Sequence, residues 1–286
     1  MQIHPTAVVD PSAQVGDGCE IGPGAVIEAD VVLGANNRVG PHAFLGRHTK
    51  VGDGNEFHVG AVVGHEPQDL KFDRSIRSFC RVGNGNVFRE YCVIHRSSQP
   101  EGATEIGNHN YVMNHGHIGH DARLGNQVIL GAGGLIAGHV HVDDRAFVSG
   151  NAAIHQHCRM GRIAMLRGVA AVSMDIPPFC IADYRNSLRG LNVIGMQRAG
   201  LDGDTRMALK QAFKLLFRNG QPFGEAVREV EAGPLVEVPE VVELIEFVRS
   251  STRGVVSWFN PQARDETNGQ PLSDDEWLER PNLFTG

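Results

Sequence analysis

Three imidazoles and a carboxylate fall within one short stretch, Asn114-His-Gly-His-Ile-Gly-His-Asp121. Imidazole titrates near neutrality, so it can take a proton from a hydroxyl or amine and pass it on. An adjacent carboxylate orients the ring and favours its protonated form as a reaction proceeds, the roles read here for His120 and Asp121. His139 and then His157 follow Asp121 at equal intervals, as Gly138 and then Gln156 follow His120. A glycine in that series leaves its N–H open to an oxygen that gains negative charge under attack. His115, His141 and His155 suit solvated corners equally well.

Metal chemistry has a weaker claim. His115 and His120 have the spacing of a ligand pair, but tetrahedral zinc wants a further imidazole or thiolate. Ser97 stands one such interval before His115 and Phe79 stands two before it, so neither supplies one. No metal is expected.

A recurring interval has meaning only if the chain itself is periodic, and it is. From Ile3, steps of six meet Val9, Val15, Ile21, Ile27, Leu33, Val39, Leu45, Val51, Phe57 and Val63. The series resumes at Val82, Phe88, Ile94 and Ile106 and runs from Val112 through Ile118, Leu124, Leu130 and Ile136 to Val172. The next residue is often Gly. Each hexad reads as a short strand and a corner, its apolar residue pointing inward. Three hexads, the interval from Asp121 to His139, close a triangular coil, and stacked coils bury what one coil cannot. Asp121, His139 and His157 then share one edge, and His120, Gly138 and Gln156 share it too.

Two stretches break the lattice, near 64–81 and 95–105. The spacing from Val63 to Val82 reads as a coil with one extra residue. Loops expelled from a rigid solenoid are favoured places for binding groups. The lattice fades after Val172, where Asp175-Ile-Pro-Pro178 ends it. Residues 1–190 are read as the β-helix and 191–254 as α-helical. Asp204 or Thr205 caps the first clear helix, Leu209, Phe213 and Leu216 share its face, and Gly220 stops it. Residues 255–286 form an unassigned extension, with Trp258 and Phe259 as docking residues.

Composition agrees. Glycine numbers 35 while aromatics are only 6% of the chain, which suits many tight corners better than an aromatic core. A net charge of −7 speaks against nucleic-acid binding. Five cysteines without a C-x-x-C pair fit free thiols in a reducing cytoplasm. The N-terminus shows no signal peptide, and no apolar run is long enough to cross a bilayer.

The hexads together with HIGHD (117–121), AGHVHVDD (137–144), IHQHC (154–158), QDLKF (68–72), DIPPF (175–179) and STRG (251–254) resemble the UDP-N-acetylglucosamine O-acyltransferases of lipid A biosynthesis. The resemblance covers about residues 1–254. It implies a left-handed parallel β-helix followed by a small α-helical domain, a homotrimer with sites between prisms, and acyl transfer from acyl carrier protein to a UDP-amino-sugar without a cofactor. His120 matches the general base, Asp121 its supporting residue and Gly138 the oxyanion position. Asp69, Lys71, His117, His139 and Gln156 match positions that hold the acyl group or sugar nucleotide, as do Asn192 and Arg198. Gly168 matches the position that sets acyl length.

Departures cluster at the nucleotide. Ile194 stands where the family has Glu, Ala199 replaces a common second Arg, and 182–192 is short. Arg185 and Arg189 are candidate replacement cations; Arg162, Arg167, Lys210 and Lys214 are candidates to meet the acidic carrier. The changes motivate a second reading, an acyltransferase acting on a 3-amino UDP-sugar or another nucleotide sugar. A third is a non-enzymatic β-helical scaffold. It predicts loss of the base, yet His120 and Asp121 are both present. The N-acyltransferase of the same pathway carries an extra N-terminal domain, whereas hexads here begin at Ile3.

Overall fold

A computed structural model describes residues 1–258. Among them, short strands stack into three parallel sheets that form the faces of a triangular prism. The first face starts at Gln2–Ile3, the second at Val8–Val9 and the third at Gln14–Val15. Register follows the sequence interval: Ile3 pairs with Ile21, Val9 with Ile27 and Val15 with Leu33. Each lattice residue points inward, and Ile27, Leu45, Ile94, Ile118, Leu130 and Ile136 are at most 1% exposed. Truncating one such Ile to Ala would cost about 2–5 kcal/mol, because stacked coils cannot collapse around the gap.

Both lattice breaks open on the edge between the second and third faces. Strand Val62–His65 belongs to the second face and Phe79–Val82 to the third, so the long insertion lies between them. Val51 pairs with Val82 and Phe57 with Phe88, so a single coil runs the whole way from one partner to the other. The insertion therefore lengthens that coil by two hexads and a residue more, and the sequence reading of a single extra residue is corrected. The next coil is longer than the regular one by a hexad, since Val93 pairs with His117. Ser97 accordingly does not lie beneath His115. Tyr91 does, its ring stacked on His115 at 5.7 Å.

The prism also outlasts the lattice. Ile176 bridges to Met160, and Cys180–Asp183 pairs with Met165–Leu166 on the first face, with Leu166 opposite Ala182. That last coil is shorter than three hexads, which is why the period disappears at Val172. Ser187–Leu191 then turns back antiparallel, and Ser257–Trp258 adds one strand beyond it.

Four helices follow: α1 (Val193–Arg198), α2 (Gly203–Arg218), α3 (Phe223–Glu231) and α4 (Pro239–Arg249). Helix α1 is absent from the sequence reading. Asp202, rather than Asp204 or Thr205, caps α2 by accepting from the Thr205 N–H at 2.7 Å. Leu209, Phe213 and Leu216 are buried as expected. Trp258 packs edge-on against Phe213 at 5.8 Å, with Arg218 over its ring. Phe259 lies outside the described residues. None of the described helices is long and apolar enough to cross a membrane.

The outer surfaces of the faces differ. The first face carries Gln2, Glu20, Arg38 and Glu56 in its early coils and then Val87, Tyr111, Ile129, Phe147, Met165 and Ile181, whereas Val8, Val26, Phe44, Val62, Val93 and Leu135 line the second, with His117 among them. On the third face, Lys50, Arg81, Glu105, Arg123, His141 and Arg159 take the equivalent places.

Candidate active site

His120 and Asp121 form the corner that follows strand His117–Ile118, on the edge between the second and third faces. Gly138 with His139, and Gln156 with His157, form the same corner in the next two coils. The second residue of each turn lies in the left-handed region, with φ of 61° at Asp121, 59° at His139 and 64° at His157. Polar residues tolerate that conformation better than β-branched ones, and it turns their side chains outward. The backbone fixes the stacking: the His139 N–H donates to the His120 carbonyl at 3.0 Å and the His157 N–H to that of Gly138 at 3.2 Å.

The three imidazoles form a column. His139 meets His120 edge-on at 5.2 Å and lies flat against His157 at 4.6 Å. His120 Nδ1 is 2.8 Å from Asp121 Oδ2. An ionised carboxylate only accepts, so Nδ1 donates and Nε2 carries the lone pair. Gly138 sits against that nitrogen: a Cβ there would lie 2.8 Å from Nε2 and from Cε1. The glycine is required by the fit of the ring.

Asp121 is also held by residues the sequence reading passed over. Its carboxylate accepts from the Ser97 hydroxyl, from Ser98 Oγ at 2.7 Å and from the Ser98 N–H at 3.1 Å. Its own N–H donates to Thr104 Oγ1 at 2.8 Å. Burial alone would raise this carboxyl, but the hydrogen bonds from His120, Ser97 and Ser98 hold it well below the usual carboxylate range. Once the coil is known to hold a fourth hexad, Ser97 falls in register with Asp121, a relation that a uniform coil length conceals. Burial lowers His139, with Asp121 opposing and His157 reinforcing the shift. His117 is lowered by burial and by His120. His120, Asp121 and His139 place one donor atom each within 4.8 Å of one another. Both Asp121 oxygens already hold protein donors, however, so this trio fits a hydrogen-bonded dyad better than a metal centre.

The inserted loop brings Asp69 and Lys71 to the same edge. Asp69 Oδ1 accepts from the Lys71 N–H at 2.9 Å, and Asp69 is close enough to His139 to favour its charged form. The loop is anchored from below by Arg96, which is 1% exposed. Arg96 donates to the Ile76 carbonyl at 3.4 Å and lies over the Phe72 ring at 5.2 Å. His117 faces outward on the second face beside His95, at 5.2 Å.

The remaining candidates lie elsewhere on the prism. Asn192 caps α1 and donates to the Ile163 carbonyl at 2.8 Å, on the edge between the third and first faces. Arg198 ends that helix, exposed. Gly168 lies on the edge between the first and second faces, where a Cβ added to it would come within 3.3 Å of the Gly150 carbonyl. Within one chain, neither Asn192 nor Gly168 shares an edge with His120.

Several candidate cations are already engaged. Arg162 pairs with Glu243 at 2.7 Å and Arg167 with Asp183 at 2.7 Å, so each already has an acidic partner within the chain. Lys210 and Lys214 remain exposed on α2. Arg189 turns to Asp183 at 3.4 Å and to the Tyr184 ring, while the backbone of Arg185 bridges to that of Ala171.

Comparison with known proteins agrees with this architecture. Residues 175–256 match the family described as Udp N-acetylglucosamine O-acyltransferase, domain 2. The acyl-[acyl-carrier-protein]–UDP-N-acetylglucosamine O-acyltransferase of Burkholderia orbicola is 44% identical over 89% of this chain and 99% of its own length. That of Anaeromyxobacter sp. (strain Fw109-5) is 45% identical over the same shares. Among solved structures, LpxA from Acinetobacter baumannii superposes with a TM-score of 0.85 at 35% identity, over 90% of this chain and 100% of that one. The UDP-N-acetylglucosamine acyltransferase of Francisella novicida gives 0.85 at 31% identity, over 91% and 95%. The fold is the left-handed parallel β-helix of these acyltransferases, as the family resemblance implied. This chain is an acyltransferase and belongs to the acyl-[acyl-carrier-protein]–UDP-N-acetylglucosamine O-acyltransferase family.

Proposed function

We propose that the enzyme transfers a 3-hydroxyacyl group from acyl carrier protein to the 3-hydroxyl of UDP-N-acetylglucosamine in the cytoplasm, with His120 as general base. The observation that carries this reading is the His120–Asp121 dyad, whose free Nε2 faces Gly138. His120 Nε2 takes the proton of the sugar hydroxyl as its oxygen attacks the thioester carbonyl. Asp121 stabilises the imidazolium, and the Gly138 N–H donates to the oxyanion. Collapse breaks the C–S bond, and the imidazolium returns the proton to the leaving sulfur. The products are an ester and a thiol. The thioester supplies the free energy, so the scheme needs no cofactor.

The site is assembled in a homotrimer. The second face and the later coils of the first are largely apolar outside while the third is mostly charged, so these surfaces of each prism suit burial against other copies. A closed ring that sets the second face of one prism against the first face of the next brings their outer edges together. His120, Gly138, Asp69 and Lys71 of one copy then face the edge that carries Asn192 and Arg198 in its neighbour. Gly168 lies at the inner end of the same seam, where an acyl chain entering at His120 would stop. Gln156, His117 and His139 line the seam between.

The test is direct. Purified protein is incubated with a 3-hydroxyacyl carrier protein and either UDP-N-acetylglucosamine or its 3-amino analogue, and the products are weighed by mass spectrometry. The expected product is the O-acyl sugar nucleotide, with the rate lowered roughly 10²–10⁴-fold in His120→Ala. Full activity in that variant removes His120 from the mechanism. Product from the amino analogue alone shifts the acceptor, a reading favoured by the exposed Ile194 on α1.

A further inference from the structure

Beyond His157 on the catalytic edge, the segment after α4 returns to the prism and lays Arg253 along it. Arg253 Nη2 donates to the Ser173 carbonyl at 3.1 Å and lies 3.3 Å from His155 Nδ1. The Cys158 side chain also reaches the guanidinium, and none of these partners is a carboxylate. Among the described residues no carboxylate lies within 4.0 Å of this guanidinium, although Arg159, Arg162, Arg167 and Arg189 nearby each have one. An exposed arginine held in place without a counter-ion is prepared for an anion from outside.

Its position says which anion. His155 and Ser173 continue the line of Gly119, the residue before His120, two and three coils further along the axis. At ~4.8 Å per coil the guanidinium stands ~10–14 Å from the base. A hexose ring and the phosphoryl groups attached to its anomeric oxygen cover the same order of length from a reacting 3-hydroxyl. The stretch between is lined by His139, Gln156 and His157, all able to donate hydrogen bonds. Where the nucleotide is otherwise expected, Arg198 stands without a second cation beside it, since Ile194 and Ala199 carry no charge and Arg189 serves Asp183.

We propose that Arg253 binds the diphosphate of the nucleotide-sugar acceptor, an assignment that rests on the acceptor reading above. Bidentate donation from a pre-oriented guanidinium would fix the diphosphate, and through it the sugar ring, along the His120 edge.

Binding of UDP and of uridine is measured by calorimetry for the full-length wild type, Arg253→Ala, Arg253→Lys and Arg253→Gln, alongside kcat and KM for UDP-N-acetylglucosamine and for the acyl carrier. In Arg253→Ala, UDP affinity should fall roughly ten- to hundred-fold, with KM for the sugar nucleotide raised in proportion. Uridine affinity, kcat and KM for the carrier should stay near wild type, because a contact made equally in ground and transition states moves KM alone. Lys should recover part of the UDP affinity; Gln, which keeps a donor for Ser173 without the charge, should not. Should Arg253→Ala fail to fold, the Lys–Gln contrast decides. Unchanged UDP binding overturns the assignment, as does a parallel loss of uridine binding and carrier KM, the mark of a structural role. A wild type that neither binds UDP nor acylates the sugar nucleotide sinks the acceptor reading instead.

Discussion

Two imidazoles on the catalytic edge, His95 and His120, differ in what their ring nitrogens meet. His120 gives Nδ1 to Asp121 and keeps Nε2 toward Gly138, an arrangement that allows a proton to arrive and leave. His95 is 2% exposed, its Nδ1 is 2.5 Å from the Glu66 carbonyl, and its Nε2 is buried without a hydrogen-bond partner among the described residues. Burial pushes His95 down to about 4. Its unfolded value is 6.5, so above that pH neither state binds the proton and stability is complete. Between 6.5 and 4 the unfolded chain takes up a proton that the folded one refuses, and stability falls by about 1.4 kcal/mol per pH unit. Below the folded value the loss is finished. His95→Asn, which keeps a donor for Glu66, should therefore flatten the fall in denaturation midpoint across this window. An unchanged slope would assign the acid sensitivity to other groups.

Elements hold these residues through a buried column of amides on the edge between the third and first faces. Asn37, Asn55, Asn86 and Asn110 are at most 1% exposed, and each Oδ1 accepts from the backbone of the next coil. Asn86 also donates to the Gly107 carbonyl at 3.0 Å, so both its donor and its acceptor are used. Asn86→Ala would strand partners above and below it and should cost on the order of 2–3 kcal/mol in urea unfolding. A cost near zero would mean that water or a shifted turn replaces the amide. The sequence disclosed the strands, because an inward position accepts only apolar residues and repeats without exception through the coils. It disclosed the corner of His120, Gly138 and Gln156 for the same reason, since the coils there keep one length. The true lengths of the two enlarged coils and the shortened coil at Leu166–Ala182 were hidden, because a chain leaving the prism does not mark where it re-enters. Ser97 and Ser98 were hidden with them. Helix α1, one and a half turns capped by Asn192, is too short to show a period.

On the proposed reading, a single prism is an incomplete enzyme. Its His120 edge, its Asn192 edge and its Gly168 edge point in three directions, while the second face and the later coils of the first present apolar residues to the outside. Leu135, 47% exposed on the second face, is a direct probe of the proposed assembly. Leu135→Glu would place a charge inside the seam and should convert a trimer to monomers in light scattering, with activity falling alongside. Arg123→Glu on the charged third face should leave the assembly intact. A monomeric wild type with full activity would refute a site shared between copies.

The even stacking of coils also fixes how such a rod can change length. Adding one whole turn ahead of His65 translates everything beneath it without rotating it, so every corner keeps its azimuth. A single surplus hexad left inside the prism would swing the remainder by a third of a revolution and hand the imidazole column to the wrong edge. Surplus residues are harmless only where they are extruded, as both insertions are, at the corner whose phase must be preserved. Growth in this architecture is quantised, and the three-sided coil sets the quantum.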